Sequence, residues 1–275
     1  MPIHSQRQRR PVSGLVTLML MAGCATGTRQ TPRYYEQSAD SATSGCLRNP
    51  ACYSQTGDEA VIPWLSRAVN AARNTTTVMQ MVTKAELQRI ETILTECASK
   101  AHHQVNDEDE ELKGRSPDKD ECKKVVRREG NREVTRAMEL GSKKHALALA
   151  CAREKLGTDF PDTVSVEPRY QKDPNTGRWR WLDPEQVAEW LRNSLTANLA
   201  GSLVPDIVVH ASGNPNKAQR VYDLKFPCPS TNPPTWGRYA VGQPHHPRTQ
   251  GQMYKEALRL EDRDLAFSTP LGIQR

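Results

Sequence analysis

The chain has 275 residues, room for a leader, a linker and one or two domains, with 38 basic and 32 acidic side chains and a formal charge of +6. Taking away Arg7, Arg9 and Arg10, three basic residues in a segment that export would remove, leaves 35 against 32, a balance of +3. That excess is too small to argue nucleic-acid binding on its own, so any phosphate-binding surface must come from local arrangement. The apolar run from Val12 to Met21 follows the basic start and ends in Met21-Ala22-Gly23-Cys24. It is too short to span a bilayer as a mature helix and suits the core of a signal peptide over residues 1–23. Residues 24–57, rich in Ser, Thr, Gly, Gln and Arg, read as a flexible tether.

Residues 58–156 read as helical. Ala60, Val61, Trp64, Leu65 and Val69 recur at three and four, as do Leu87, Ile90, Ile93 and Leu94. The acids Asp107 to Glu111, beside Gly114 and Pro117, read as a solvated loop. A third helix is expected from Asp120 to about Leu156, with Gly130 and Gly141 as points of interruption.

A second domain, residues 157–275, is expected after Gly157. Thr163–Tyr170 and Arg178–Trp181 read as strands around the turn Asp173-Pro174-Asn175-Thr176-Gly177. Asp183 and Pro184 start a helix whose stripe Val187, Trp190, Leu191, Leu195 and Leu199 ends at Gly201. Val204–Val209 and Val221–Phe226 read as strands, a helix is expected from about Arg248 to Leu260, and Asp264–Ser268 as a last strand. The fold class is therefore α+β, a helical region followed by a β-sheet core flanked by helices. Besides Cys24, the six cysteines Cys46, Cys52, Cys97, Cys122, Cys151 and Cys228 suit disulfides in an exported chain. Fifteen pairings are open; the guess by neighbourhood is 46–52, 97–122 and 151–228.

Two resemblances attach to these residues. Met21-Ala22-Gly23-Cys24 resembles the bacterial lipobox, although that family usually has leucine where Met21 stands. The resemblance implies cleavage before Cys24, lipidation of Cys24 and membrane anchoring. Ala25 in place of an aspartate points to the outer membrane. An ordinary secretory signal with a chance cysteine is the competing reading.

Pro205-Asp206, Asp223-Leu224-Lys225 and Gln250-Gly251-Gln252-Met253-Tyr254 resemble the PD-(D/E)xK restriction-endonuclease-like superfamily, the Gln-x-x-x-Tyr feature its RecB-like branch. The resemblance covers about the last hundred residues and implies a mixed sheet and a nuclease that cuts nucleic acid, DNA before RNA. It assigns Asp206, Asp223 and the Leu224 carbonyl to Mg2+ or another divalent cation such as Mn2+, and Lys225 to catalysis. Hard cations of this kind take oxygen ligands and typically one or two protein carboxylates. Asp223 and Lys225, two apart on a strand, share a face, while Tyr222, Leu224 and Phe226 share the apolar one. Gln250 and Tyr254, four apart on a helix, are assigned to substrate. Glu185 and Glu189, opposite the Val187–Leu195 stripe, face solvent and are left out. The bland alternative makes Asp223 and Lys225 a solvated edge-strand pair, Gln250 a surface glutamine and Tyr254 a half-buried core residue.

Histidines in the adjacent pairs His102-His103 and His245-His246 do not converge on one metal. Trp179, Trp181 and Trp236 could stack on bases, with core packing as the default. Arg178, Arg180, Arg220, Arg238 and Arg248 could form a basic groove. A lipid-anchored exported nuclease resembles a polymorphic lipoprotein toxin with a cognate immunity protein. The alternatives are a structural or binding lipoprotein without chemistry and a scavenging nuclease.

Overall fold

The structure, a computed structural model, describes residues 80–130 and 132–275. The leader, Cys24, the tether, the Ala60–Val69 stripe and the 46–52 pairing lie outside the described residues. Helix α1 (Lys84–Glu108) starts at Thr83, whose hydroxyl accepts the Glu86 amide while the Glu86 carboxylate accepts the Thr83 amide. Ile90, Leu94, Cys97, Ala98, Ala101 and Val105 form its buried stripe.

The expected third helix is divided. A short helix α2 (Lys119–Lys123) leads into a hairpin of β1 (Val125–Glu129) and β2 (Arg132–Thr135), and only then does α3 (Arg136–Asp159) begin, capped by Thr135. The β-branched pair Val125-Val126 favours a strand, and Gly130 turns the hairpin at φ +60. Gly130 thus interrupts the helix, whereas Gly141 lies inside α3.

The main sheet has the order β3 (Val164–Val166), β6 (Ile207–Ala211), β7 (Asn214–Leu224), β8 (Leu265–Thr269), β9 (Gly272–Gln274). Only the β7–β8 pair is parallel. Its crossover carries α5 (Gln250–Leu258), because parallel neighbours need a long connection. A separate hairpin, β4 (Tyr170–Lys172) with β5 (Trp179–Trp181), lies across the turn expected at 173–177. The fold is α+β, a mixed five-stranded sheet with flanking helices.

Alternation along the strands makes two cores. Ile207, Val209, Tyr222 and Leu224 join residues of α1 and α3 in one, including Ile90, Leu94, Ala148, Leu149 and Leu156. Val208, Val221 and Leu265 join Met253, Tyr254, Tyr170 and Tyr239 in the other. The expected domain boundary at residue 157 therefore falls inside a shared core. Helices α1 and α3 cover the sheet's apolar face, and residues 157–275 alone would leave that face bare.

Two expectations about local structure are corrected. The helix after Asp183 and Pro184, α4 (Pro184–Arg192), stops short of Gly201: Ser194 takes a left-handed backbone at φ 56 and residues Thr196–Leu199 form a 3-10 turn. Leu195 is consequently exposed, and Val187, Trp190 and Leu191 are only half-buried. The bridges are Cys97–Cys151 and Cys122–Cys228, not 97–122 and 151–228. Packing α1 against α3 brings Cys97 to Cys151, a proximity that neighbourhood in sequence does not reveal.

Both bridges close long loops, of 54 and 106 residues in sequence separation. In the chain-entropy account, loops of that size are stabilised by about 4 and about 5 kcal/mol respectively. Cys97→Ala/Cys151→Ala and Cys122→Ala/Cys228→Ala are each expected to lose stability of that order in urea unfolding. A loss below about 1 kcal/mol for both would mean that the bridges constrain the unfolded chain far less than loop closure requires.

Candidate active site

The register of β6 with β7 pairs Ile207 with Tyr222, so Asp206, one residue before β6, comes beside Asp223. Asp206 is 1% exposed, and its Oδ2 accepts the backbone N–H of Leu224 at 2.7 Å. The same oxygen accepts His145 Nε2–H, from α3, at 2.9 Å. Asp223, also 1% exposed, has Lys225 Nζ at 2.5 Å from Oδ2. Lys225 donates its backbone N–H to Ser268 O on β8 and its ammonium to Gln250 Oε1 at 3.2 Å. Leu224 itself turns its side chain into the core under α1 and α3, leaving its backbone at the site.

Gln250 opens α5 and is buried rather than on the surface. Its Oε1 also accepts the Gly237 N–H at 2.9 Å, and its backbone N–H donates to Gly237 O. Gly237 packs closely here: a Cβ on it would stand 2.8 Å from Gln250 Oε1 and would push that side chain aside. Gly251 is similarly tight, since its Cβ would meet the Trp236 indole at 2.8 Å. The loop between β7 and α5 is thus clamped onto the helix start, and Cys228 ties its near end to α2. Tyr254 lies one turn further along α5 and is wholly buried. Its hydroxyl donates to Val204 O at 3.4 Å and its ring meets Trp236 edge-on. Lys225, Asp223, Asp206 and Gln250 are brought together, whereas Tyr254 acts as packing between α5 and the segment before β6.

Electrostatics follow from burial. Removal from water pushes the Asp223 carboxyl up to about 7; Lys225 opposes the shift, Asp206 adds to it and His145 opposes it. Burial works against the His145 imidazolium, yet the carboxylates of Asp206, Asp223 and Glu167 outweigh it and hold its pKa above the ordinary value. Several buried polar atoms here lack a hydrogen-bond partner: Asp206 Oδ1, His145 Nδ1, Gln250 Nε2 and Ser268 Oγ. Asp223 Oδ2 has the Lys225 charge beside it but no well-directed hydrogen bond. Each such group costs about 1–3 kcal/mol when left unpaired, so their concentration at one place marks a site built for something other than stability.

Among the described residues, no three His, Cys, Asp or Glu side chains form a ready metal cage. The donor set nevertheless fits a magnesium-like cation, which takes one or two carboxylates and keeps several waters. Asp206 Oδ1 and Asp223 Oδ2 are two such oxygens.

His145, which holds Asp206, is not among the residues the sequence pattern singles out. Its signal was a lone histidine in register with Leu149, Ala152 and Leu156, the buried stripe of α3. The pairs themselves serve structure. His102 meets Ser116, Asn106 and Lys144, His245 meets Gly201 O, and His246 meets Tyr239 O. Glu185 and Glu189 are exposed, as their helical phase implied. Trp179 and Trp181 pack against the second core, and Trp236 against Phe267. The arginines do not form one groove: Arg220 pairs with Asp264, Arg248 with Glu256, and Arg238 donates to Pro247 O. Arg178 and Arg180 are exposed on the separate hairpin.

No protein family, curated protein or solved structure matches this chain.

The raised Asp223 pKa has a consequence for stability. The folded chain binds a proton there more tightly than the unfolded chain, so the penalty of this group is absent below about pH 4 and grows as pH rises toward about 7. Asp223→Asn is expected to melt higher than wild type in chelator, by a margin that widens across that window. Thermal melts over the pH range check this; a margin independent of pH contradicts a buried, under-compensated carboxylate.

Proposed function

We propose that the chain is a divalent-metal-dependent nuclease that hydrolyses phosphodiester bonds of nucleic acid, DNA before RNA. The observation that carries this is the convergence of Asp206, Asp223 and Lys225, with Asp206 Oδ1 buried without a hydrogen-bond partner and Asp223 Oδ2 held only by the Lys225 charge. A protein rarely tolerates two adjacent carboxylates in a dry site unless a cation is to be held there.

Asp206 and Asp223 would hold the cation, with the Leu224 carbonyl as a further oxygen. Bound magnesium or manganese supplies charge neutralisation at the phosphate and a lowered pKa for an attacking water. His145 and the Leu224 N–H fix the Asp206 carboxylate so that it needs little reorganisation. Lys225 presents a positive charge where negative charge develops on the phosphate oxygens. Gln250 holds the lysine, a positioning role rather than the direct substrate contact that the resemblance implied.

The restriction-endonuclease-like assignment, the lipid on Cys24, the outer-membrane location and the toxin role with an immunity partner belong to the same proposal. They rest on the sequence resemblances, and two disulfides are in keeping with a place outside the cytoplasm. The second reading, a structural or binding lipoprotein, is favoured by one observation. Asp206 and Asp223 are each 1% exposed, and none of the candidate residues lines the small cleft at His102, Phe226, Pro227 and Leu271.

Because α1 and α3 complete the core, the test uses residues 24–275 with disulfides intact. Plasmid DNA and total RNA are incubated with it in magnesium and in chelator. Cleavage is expected in magnesium only, with Asp223→Ala and Lys225→Ala each reducing it about 100-fold or more. His145→Ala is expected to lower the rate by a smaller factor. Intact nucleic acid from a cooperatively melting protein, or variants as active as wild type, would favour the binding lipoprotein. For the toxin role, expressing this chain without its leader in cells with an oxidising cytoplasm is expected to arrest growth. Asp223→Ala would remove that effect; equal toxicity from the variant defeats the mechanism.

A further inference from the structure

The lysine stands where a cation would be expected. Lys225 Nζ lies 2.5 Å from Asp223 Oδ2, a short ion pair that covers the side of the oxygen where a cation, at about 2.0–2.1 Å for magnesium, would have to bind. An ammonium and a metal ion cannot both occupy that position on one oxygen. Lys225 has a side chain 25% exposed beside an Asp223 side chain that is 1% exposed. It is also the only cationic side chain within ion-pair distance of Asp223 among the described residues. A second acceptor lies beside it: Gln250 Oε1, at 3.2 Å from the ammonium. That acceptor is also held by the Gly237 N–H, which donates to the same oxygen at 2.9 Å.

We propose that Lys225 is an internal counter-ion that holds the cation position on Asp223 in the metal-free chain and withdraws onto Gln250 when a divalent cation binds. This rests on the metal-dependent reading of the site and adds its regulation. Without metal, the lysine is the positive charge that stands against a carboxylate buried in a dry site. With metal, the displaced ammonium, held by Gln250 Oε1, faces the phosphate. The catalytic lysine and the cation therefore become available together, and the affinity for metal is set partly by the cost of moving the lysine.

Binding of Mn2+ to the oxidised chain, stripped with chelator and without nucleic acid, tests this by calorimetry and by electron paramagnetic resonance. Lys225→Met is expected to bind Mn2+ about tenfold or more tightly than wild type, although it loses cleavage. Arg220→Gln removes a positive charge from the strand that carries Asp223 without touching that residue, and is expected to bind like wild type. Asp223→Asn is expected to abolish binding with either residue at 225. Lys225→Gln, held to the same expectation, serves if the Met variant does not melt cooperatively. Equal or weaker binding by the folded Lys225 variants overturns the proposal while leaving the metal site standing. Equal tightening by Arg220→Gln also overturns it, because a general field effect would then suffice. Failure of both wild type and folded Lys225 variants to bind millimolar Mn2+ removes the metal reading, and this proposal with it.

Discussion

Asp206 Oδ2 accepts two donors, the Leu224 amide from β7 and the His145 imidazole from α3, and three elements meet at that oxygen. A carboxylate can be kept in a dry interior only if donors replace its water, and here the replacements come from opposite sides of the fold. The bond to Leu224 fixes how far β7 runs alongside β6, and so where Asp223 and Lys225 emerge. The bond to His145 ties the helix that covers the sheet to the strand that carries the acid. Moving any one of these elements would leave a buried charge without partners.

Around that point the molecule is assembled from closely packed elements over two apolar cores. Small residues on α1 and α3, such as Ala98, Ala101, Ala148 and Ala152, are fully packed in the core over the sheet. The disulfide between the same helices adds a covalent restraint. At the other edge, Gly237 and Gly251 let the loop and α5 approach until only a hydrogen separates them from Gln250 and Trp236. The site is therefore rigid at its base, where acids and amide are held. Lys225, one of its more exposed members, stands between two acceptors.

How much of this was legible depended on the range of the interactions involved. The β7 alternation was readable because it is local: Tyr222 and Leu224 face one core and Val221 the other. Asp183 and Pro184 marked a helix start for the same reason, and both do so. The end of that helix was not readable, because Ser194 adopts a left-handed turn that no apolar periodicity announces. The β1–β2 hairpin shows in the sequence only as Val125-Val126 and Gly130 between helical stretches. His145 looked like any polar interruption in a helical stripe until α3 was laid against β6.

The amino-acid sequence by itself determined the local chemistry: which residues alternate, where helices start, and that Asp223 and Lys225 stand two apart at the end of β7. Those features depend on neighbours within a few positions, where backbone geometry leaves little choice. Tertiary structure alone decided that α1 and α3 belong to the sheet they cover, that Cys97 meets Cys151 and Cys122 meets Cys228, and that a histidine sixty-one positions away would hold Asp206. It also turned Gln250 inward to the lysine and buried Tyr254. The reason is that burial of apolar surface chooses which distant segments touch, and polar partners are then found only among the groups that burial has brought together.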